Sequence, residues 1–412
     1  MNRTTAHIVI VGGSAAGLTV AALLRKKVPT LKVTLIEPSE THYYQPGFTI
    51  VGGGVYRFEQ TARPTAKFIP SGVNRVRAHV TSIDVGLNQV VTANGQTVVY
   101  SHLVVCPDLM NDLDRVPGLA DAMGHDGVTS NYVVDSVRYT WSLIDAWKGG
   151  CALFTQPPLP FKCPGAPQKI AYLAADRWRQ RGLLKSSELH FLTAGGAMFG
   201  IPEFAKALDK VIVRYGIQQH FLNNLVAVDG KRKVATFEQT QGDQKSRVDY
   251  EYDLLHATPH QGPPGFLRSA PSLVNAAGSV EVNQGTLQHV RLGNVFSVGD
   301  ACSTPNSKTA AAVRKQAPIM VTNLLAVIDR RMPEQRYDGY GSCPLTTSLS
   351  TAMLAEFVYG GKITPSFRMY PFAEKRLWWW GKLYGFPALY WRMLKGLEFD
   401  VAHSADKATP FM

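Results

Sequence analysis

The sequence predicts an α/β protein of two related domains, each a parallel sheet carrying a small antiparallel flap. Three observations predict it. The chain opens on a strand, a glycine turn, a helix and a second strand; a hairpin followed by a buried strand occurs twice; and a late apolar strand ends in Gly-Asp. At 412 residues the chain is long enough for two or three domains with a sizeable core.

The opening unit is the apolar strand His7-Ile8-Val9-Ile10-Val11, the turn Gly12-Gly13-Ser14-Ala15-Ala16-Gly17, an alanine-rich helix to Lys27, and Val33-Thr34-Leu35-Ile36-Glu37. A helix N-terminus offers free N–H groups and partial positive charge to a pyrophosphate. Gly12, Gly13 and Gly17 let the backbone approach it, and Glu37 stands where an acid holds the adenosine ribose. Ser14 takes the place of the usual middle glycine. This is a Rossmann-like dinucleotide site. The polar and aromatic loop Thr41–Gly47 and Arg63-Pro64 follow the second strand, where ligands of parallel sheets sit, and are expected to touch the rest of the dinucleotide.

Gln89–Thr92 and Thr97–Tyr100 flank an Asn94-Gly95 turn, a hairpin signal, and Leu103–Pro107 is a short buried strand. The pattern returns at Val234–Glu238, Val248–Tyr252 and Leu254–Pro259. Between them Cys151–Thr155 and Leu189–Thr193 read as strands, and Lys169–Gln180 and Glu203–Tyr215 as helices. The second glycine turn, Gly195–Gly200, carries bulky Met198 and Phe199, with Pro202 just after it and no acid or arginine on the next strand. A second Rossmann-like domain without bound nucleotide is expected. The chain then returns to the first domain with Gly293–Asp300, and Ser307 looks like the cap of a helix beginning near Lys308. The boundaries this implies are 1–115 with 265–340, 116–264, and a segment 341–412.

The formal net charge of +12 argues for an anionic partner, lipid or a small anion; no segment reads as a nucleic-acid motif. The largely apolar run from Arg3 to Leu24 resembles a secretory signal, but its glycines sit at dinucleotide spacing. It is read as mature fold. No stretch has the uncharged length of a spanning helix. Five cysteines, an odd number, are not a disulfide framework. Cys163 and Cys343 each precede a proline and read as turn residues, beside Lys162 or before a helix, where a thiolate is favoured. Cys106, Cys151 and Cys302 read as small core residues. Pattern alone leaves the pairing of Cys163 and Cys343 open.

Taken together, His42–Pro46, Arg63–Gly72, Lys162–Lys169, Gly299–Val313 and Tyr337–Leu345 resemble sulfide:quinone oxidoreductase, in the subgroup that includes the animal mitochondrial enzyme. The resemblance spans nearly the whole chain and departs at Ser14 and at Cys106-Pro107-Asp108, both assigned to the nucleotide end. It implies a two-dinucleotide-domain flavoprotein of disulfide-reductase build. Gly12, Gly13, Glu37, Gln45, Val80, Asp300 and Lys308 are then FAD contacts, with Lys308 aimed at the flavin ring, and Cys163 and Cys343 are the redox pair, bridged at rest by a disulfide or an inserted sulfur. It further implies oxidation of hydrogen sulfide, with Cys343 facing the flavin and Cys163 holding the sulfane sulfur. Electrons pass through FAD to ubiquinone or another quinone, and the sulfur leaves on sulfite, a small thiol or sulfide.

From Met369 onward Trp378, Trp379, Trp380 and Trp391 are interleaved with lysines and arginines, and Gly381, Gly385 and Pro387 interrupt the segment. Such composition suits the boundary of an anionic membrane, with Phe357 and Tyr384 as candidate quinone contacts. The expected location is the cytoplasmic face of a bacterial inner membrane, as a peripheral protein. Three rivals remain: a single-subunit NADH:quinone dehydrogenase, which would need a working Gly195–Gly200 turn; a flavin subunit serving a cytochrome; and a non-catalytic persulfide-binding flavoprotein docked on a membrane.

Overall fold

A computed structural model describes residue 3 and residues 5–398 of the chain. Its first sheet is five parallel strands in the order Val295–Ser297, His102–Val105, His7–Val11, Lys32–Ile36 and Val73–Val76. These strands are apolar without a break because both faces are covered. Ile8 and Ile10 pack under the helices Ala15–Lys27 and Ala310–Ile328, while Val9 and Val11 pack under the flap Val80–Asp84, Gln89–Thr92 and Thr97–Val99.

The second sheet repeats the plan. Its order is Val128–Thr129, Leu254–His256, Gly150–Gln156, Ser187–Thr193 and Gln218–Phe221, all parallel. Ala152, Phe154, Leu189 and Phe191 meet the helices Ala166–Gln180 and Pro202–Tyr215. Leu153, Leu192 and Leu255 meet the flap built by Asn223–Asp229, Val234–Gln241 and Gln244–Glu251. The outgoing and returning chains pair between the sheets as Met110–Asp112 against His260–Gly262.

Beyond the second sheet, Gly341–Thr346 and Ala352–Phe357 form an antiparallel hairpin whose Cys343, Leu345, Met353 and Ala355 enter the second core. Cys343 therefore lies in a strand and not in a turn. The tail winds through Arg376–Trp380, a π-turn over Gly381–Gly385, and Phe386–Met393. Much of it packs inward. Tyr390, Trp391 and Leu394 join the first core, Trp379 and Leu383 pack with Ile50 and Leu173, and Trp378 covers Ala352 and Leu354. His42 Nε2 and Tyr390 Oη are 2.7 Å apart, and the Arg63 guanidinium lies 4.1 Å above the Trp391 ring. Of the four tail tryptophans expected at a membrane boundary, only Trp380 is exposed, because Trp378, Trp379 and Trp391 each pack into a different apolar cluster of the body. No helix among the described residues is long and apolar enough to cross a membrane. Residues 399–412 of the expected C-terminal segment lie outside the described residues.

Candidate active site

A cavity of about 770 Å³ runs from the glycine turn, past the carboxyl ends of the first sheet, to the tail. Gly12 has φ +94°, and a Cβ there would lie 2.8 Å from the backbone of Pro107, so only glycine fits. A Cβ on Gly17 would meet the Gly12 carbonyl at 1.8 Å. Gly17 does not line the cavity; it lets the first helix seat against the turn that does. Ser14 is a working substitution. At φ −64° it needs no glycine, its Oγ caps the helix by accepting from Ala16 N–H at 3.2 Å, and it donates to the Cys106 carbonyl at 2.8 Å. Glu37 accepts from Gly13 N–H at 2.6 Å and Ser39 N–H at 2.7 Å, which holds its carboxylate beside the turn. Gly12, Gly13, Ser14, Glu37, Gln45, Val80, Asp300 and Lys308 all line the cavity.

In the middle of the cavity, Lys162 Nζ donates to Asp108 Oδ2 at 3.0 Å and to Gln45 Oε1 at 3.1 Å, and Gln45 Nε2 donates to the same Asp108 oxygen at 3.0 Å. Asp108, placed at the nucleotide end by the sequence reading, thus reaches the residue beside Cys163. Burial and the Asp108 charge push the Asp300 carboxyl up to about 6, against the pull of Lys162 and Lys308. Lys308 does not extend freely into the cavity, because its Nζ donates to the carbonyls of Cys302 at 2.6 Å and Thr304 at 2.9 Å. The cap of the following helix is Thr309, not Ser307: its Oγ1 accepts from Ala312 N–H at 3.2 Å.

The two cysteines, 180 positions apart, meet with their sulfurs 3.6 Å from one another, in contact but unbonded. Cys163 sits just before the helix Ala166–Gln180 at φ +46°, rare for a side-chain-bearing residue. Its N–H donates to the Lys308 carbonyl at 3.0 Å, and Tyr132 Oη donates to the carbonyls of Lys162 and Cys163. Cys343 comes in from its strand. Lys169, in the first turn of the same helix, is buried and lies 3.2 Å from the Cys163 sulfur and 3.5 Å from that of Cys343. Lys382, from the tail, is also buried and donates to the Pro46 carbonyl at 2.7 Å.

Electrostatics separate the pair. A hydrogen bond from the Cys343 thiol and the charges of Lys169 and Lys382 hold the Cys163 thiol well below its ordinary value, despite burial. Cys343 moves the other way, since it keeps the shared proton and is buried. Burial and the neighbouring Lys169 push Lys382 down to about 7. Cys163 lines the cavity, whereas Cys343 stands behind it in the second core. The positive-φ turn carries Cys163 to the cavity wall, while the strand keeps Cys343 inside.

The residues present suit FAD. The glycine turn and helix N-terminus form a cradle for the pyrophosphate, and the Thr65 hydroxyl and both amide atoms of Asn131 line the cavity, buried and without hydrogen-bond partners. The far end is walled by Leu354, Phe367, Phe386, Leu389 and Tyr390. Neither Phe357 nor Tyr384 is among its lining residues: Phe357 is buried in the second core, and Tyr384 points outward.

Residues 6–136 match the pyridine nucleotide-disulphide oxidoreductase family. The chain is 42% identical, over 96% of its own length and 88% of the relative's, to the mitochondrial sulfide:quinone oxidoreductase of Dictyostelium discoideum. The mitochondrial sulfide:quinone oxidoreductase of Mus musculus is 35% identical over 94% and 86%. The chain belongs to the sulfide:quinone oxidoreductase family. The solved structure of the sulfide:quinone oxidoreductase from Aquifex aeolicus superposes with a TM-score of 0.81 over 95% of this chain and 92% of that one, at 18% identity, so the fold is shared. Like other sulfide:quinone oxidoreductases, the protein is an FAD-dependent oxidoreductase.

Three participants escaped the sequence reading: Lys169, Lys382 and Asp108. Lys169 is six residues beyond Cys163, but its helical face was not legible. Lys382 was lost among the tail cations, though the glycines on either side mark the π-turn that directs it inward.

Proposed function

We propose that the chain oxidises sulfide through Cys163 and Cys343 and delivers the electrons, by way of FAD, to a membrane quinone. The observation that carries this is the contact between two distant sulfurs, that of Cys163 on the cavity wall and that of Cys343 just behind it, beside one buried lysine. Bound FAD would be held by the turn Gly12–Gly17, by Glu37 at its adenosine ribose, by Asp300 at its ribityl chain, and by Gln45, Val80 and Lys308. It supplies the two-electron acceptor that couples the thiols to quinone.

The residues act as follows. With the two sulfurs joined, hydrosulfide attacks Cys343; the sulfur–sulfur bond breaks and the pair of electrons in it leaves with Cys163. Lys169 and Lys382 stabilise that leaving thiolate. Cys343 now carries the sulfane sulfur as a persulfide. A nucleophilic acceptor (sulfite, a small thiol or a second sulfide) removes it, leaving a thiolate on Cys343. The two cysteines then give up two electrons towards the cavity and re-form their bond.

The tail is read as the membrane contact. Phe367, Tyr370, Leu377, Trp380 and Tyr384 are exposed, with Arg368 and Arg376 among them, next to the apolar end of the cavity. Aromatic rings and cations together suit an anionic lipid boundary. Sequence reading put this surface on the cytoplasmic face of a bacterial inner membrane, while the relatives above are named mitochondrial; fractionation of the native cell distinguishes the two. The second glycine turn is read as not holding a nucleotide, since Met198 and Phe199 fill the core behind it.

Anaerobic titration tests the proposal: sulfide bleaches the yellow protein and quinone restores the colour. Bleaching by NADH with none by sulfide would transfer the protein to the dehydrogenase reading.

A further inference from the structure

Away from the cavity, at the outer end of the second sheet, Cys151, Glu188 and His190 bring one thiol, one carboxylate and one imidazole nitrogen to within 4.8 Å of one another. Strand register explains the meeting. Cys151 pairs with Glu188 across two parallel strands, and His190 lies two residues further on the same face. His220, on the next strand, places Nε2 2.9 Å from His190 Nδ1. The opposite nitrogen of His190, Nε2, lies 3.1 Å from Glu188 Oε1. None of these residues lines the cavity.

The charge of the cluster is one-sided. Asp253 Oδ2 accepts from the Cys151 N–H at 2.9 Å, adding a second carboxylate. Among the described residues, the partners of Glu188 are His190 and the Gln218 amide, with no lysine or arginine. Burial and the two carboxylates push the Cys151 thiol up to about 11. Cys151 is partly buried, packed against the core under the second flap, at a place where negative charge and soft donors converge with no lysine or arginine paired to Glu188 among the described residues.

We propose that Cys151, Glu188 and His190 form a binding site for a divalent transition metal of the zinc class. Thiolate, imidazole and carboxylate are the donor set such ions select, and three protein ligands leave one position for water. His190 ligates through Nε2, while its Nδ1–H donates to His220 Nε2, an arrangement that fixes tautomer and ring orientation. His220 is thus a positioning residue. One proton, that of the Cys151 thiol, passes to solvent for each ion bound, with no change of oxidation state. The ion would tie two neighbouring strands, outside the cavity that holds the redox pair.

Cobalt(II) titrated anaerobically into the FAD-loaded protein reads the site directly, because thiolate ligation produces a charge-transfer band. The expected result is a band saturating at one equivalent, absent in Cys151→Ser and retained in Cys163→Ser. His190→Gln and His220→Ala should each weaken binding by about tenfold or more. Zinc should displace the cobalt and raise the thermal midpoint of the wild type but not of Cys151→Ser. No band, or a band that survives Cys151→Ser, overturns the proposal; should Cys151→Ser fold poorly, unchanged cobalt affinity in His190→Gln does the same.

Discussion

Lys169 Nζ lies 3.2 Å from the sulfur of Cys163 and 3.5 Å from that of Cys343. One buried ammonium therefore serves both halves of the redox pair. Replacing it by methionine keeps the bulk and removes the charge. Lys169→Met should raise the pKa of the Cys163 thiol by about one unit or more. The pH dependence of alkylation in the reduced protein measures this, and an unmoved midpoint would remove Lys169 from that role.

The two cysteines should fail differently. Both Cys163→Ser and Cys343→Ser lose sulfide-dependent bleaching, because the bridge needs two sulfurs. Cys343→Ser keeps a low-pKa thiolate at the cavity wall, since a serine hydroxyl can still donate to it and Lys169 remains. Rapid alkylation at neutral pH should survive in Cys343→Ser and disappear in Cys163→Ser. The opposite pattern would restore Cys343 to the flavin side.

Lys382 links charge to stability. Its ordinary value is 10.5 and in the fold it is pushed down to about 7. Between those values the unfolded chain holds a proton that the folded chain has released, so stability rises with pH across that window, and the penalty is largest below it. Lys382→Met should flatten this rise. Urea unfolding of wild type and variant at several pH values between about 7 and about 10 makes the comparison.

Ser14 tests the glycine turn. Losing a helix cap costs about 1 kcal/mol for alanine and a few tenths for glycine. Ser14→Ala should therefore lower the urea midpoint more than Ser14→Gly, with FAD retained in both. Equal stability of the two variants would argue against the cap.

The tail should divide by burial. Trp380 and Tyr384 are exposed and stack on one another at 5.4 Å, whereas Trp391 is buried against Phe68 and His42. Trp380→Ala with Tyr384→Ala should reduce binding to anionic phospholipid vesicles with little change in unfolding. Trp391→Ala should cost about 3–5 kcal/mol. Cosedimentation and thermal unfolding separate the outcomes.

What the sequence determined by itself is whatever rests on local chain geometry. The apolar strands, the glycine turn with its acid at Glu37, and the two three-stranded flaps were legible because each follows from periodicity or turn chemistry within a few tens of residues. Motif context also singled out Cys163 and Cys343. Only the tertiary structure decided what lies across long gaps: which cysteine faces the cavity, that Lys169 and Lys382 converge on both, that Asp108 reaches Lys162, and that three tail tryptophans turn inward. A side chain's neighbours in those cases come from other strands and helices, and the register and packing that bring them together are summed over the whole fold instead of being written in any one segment.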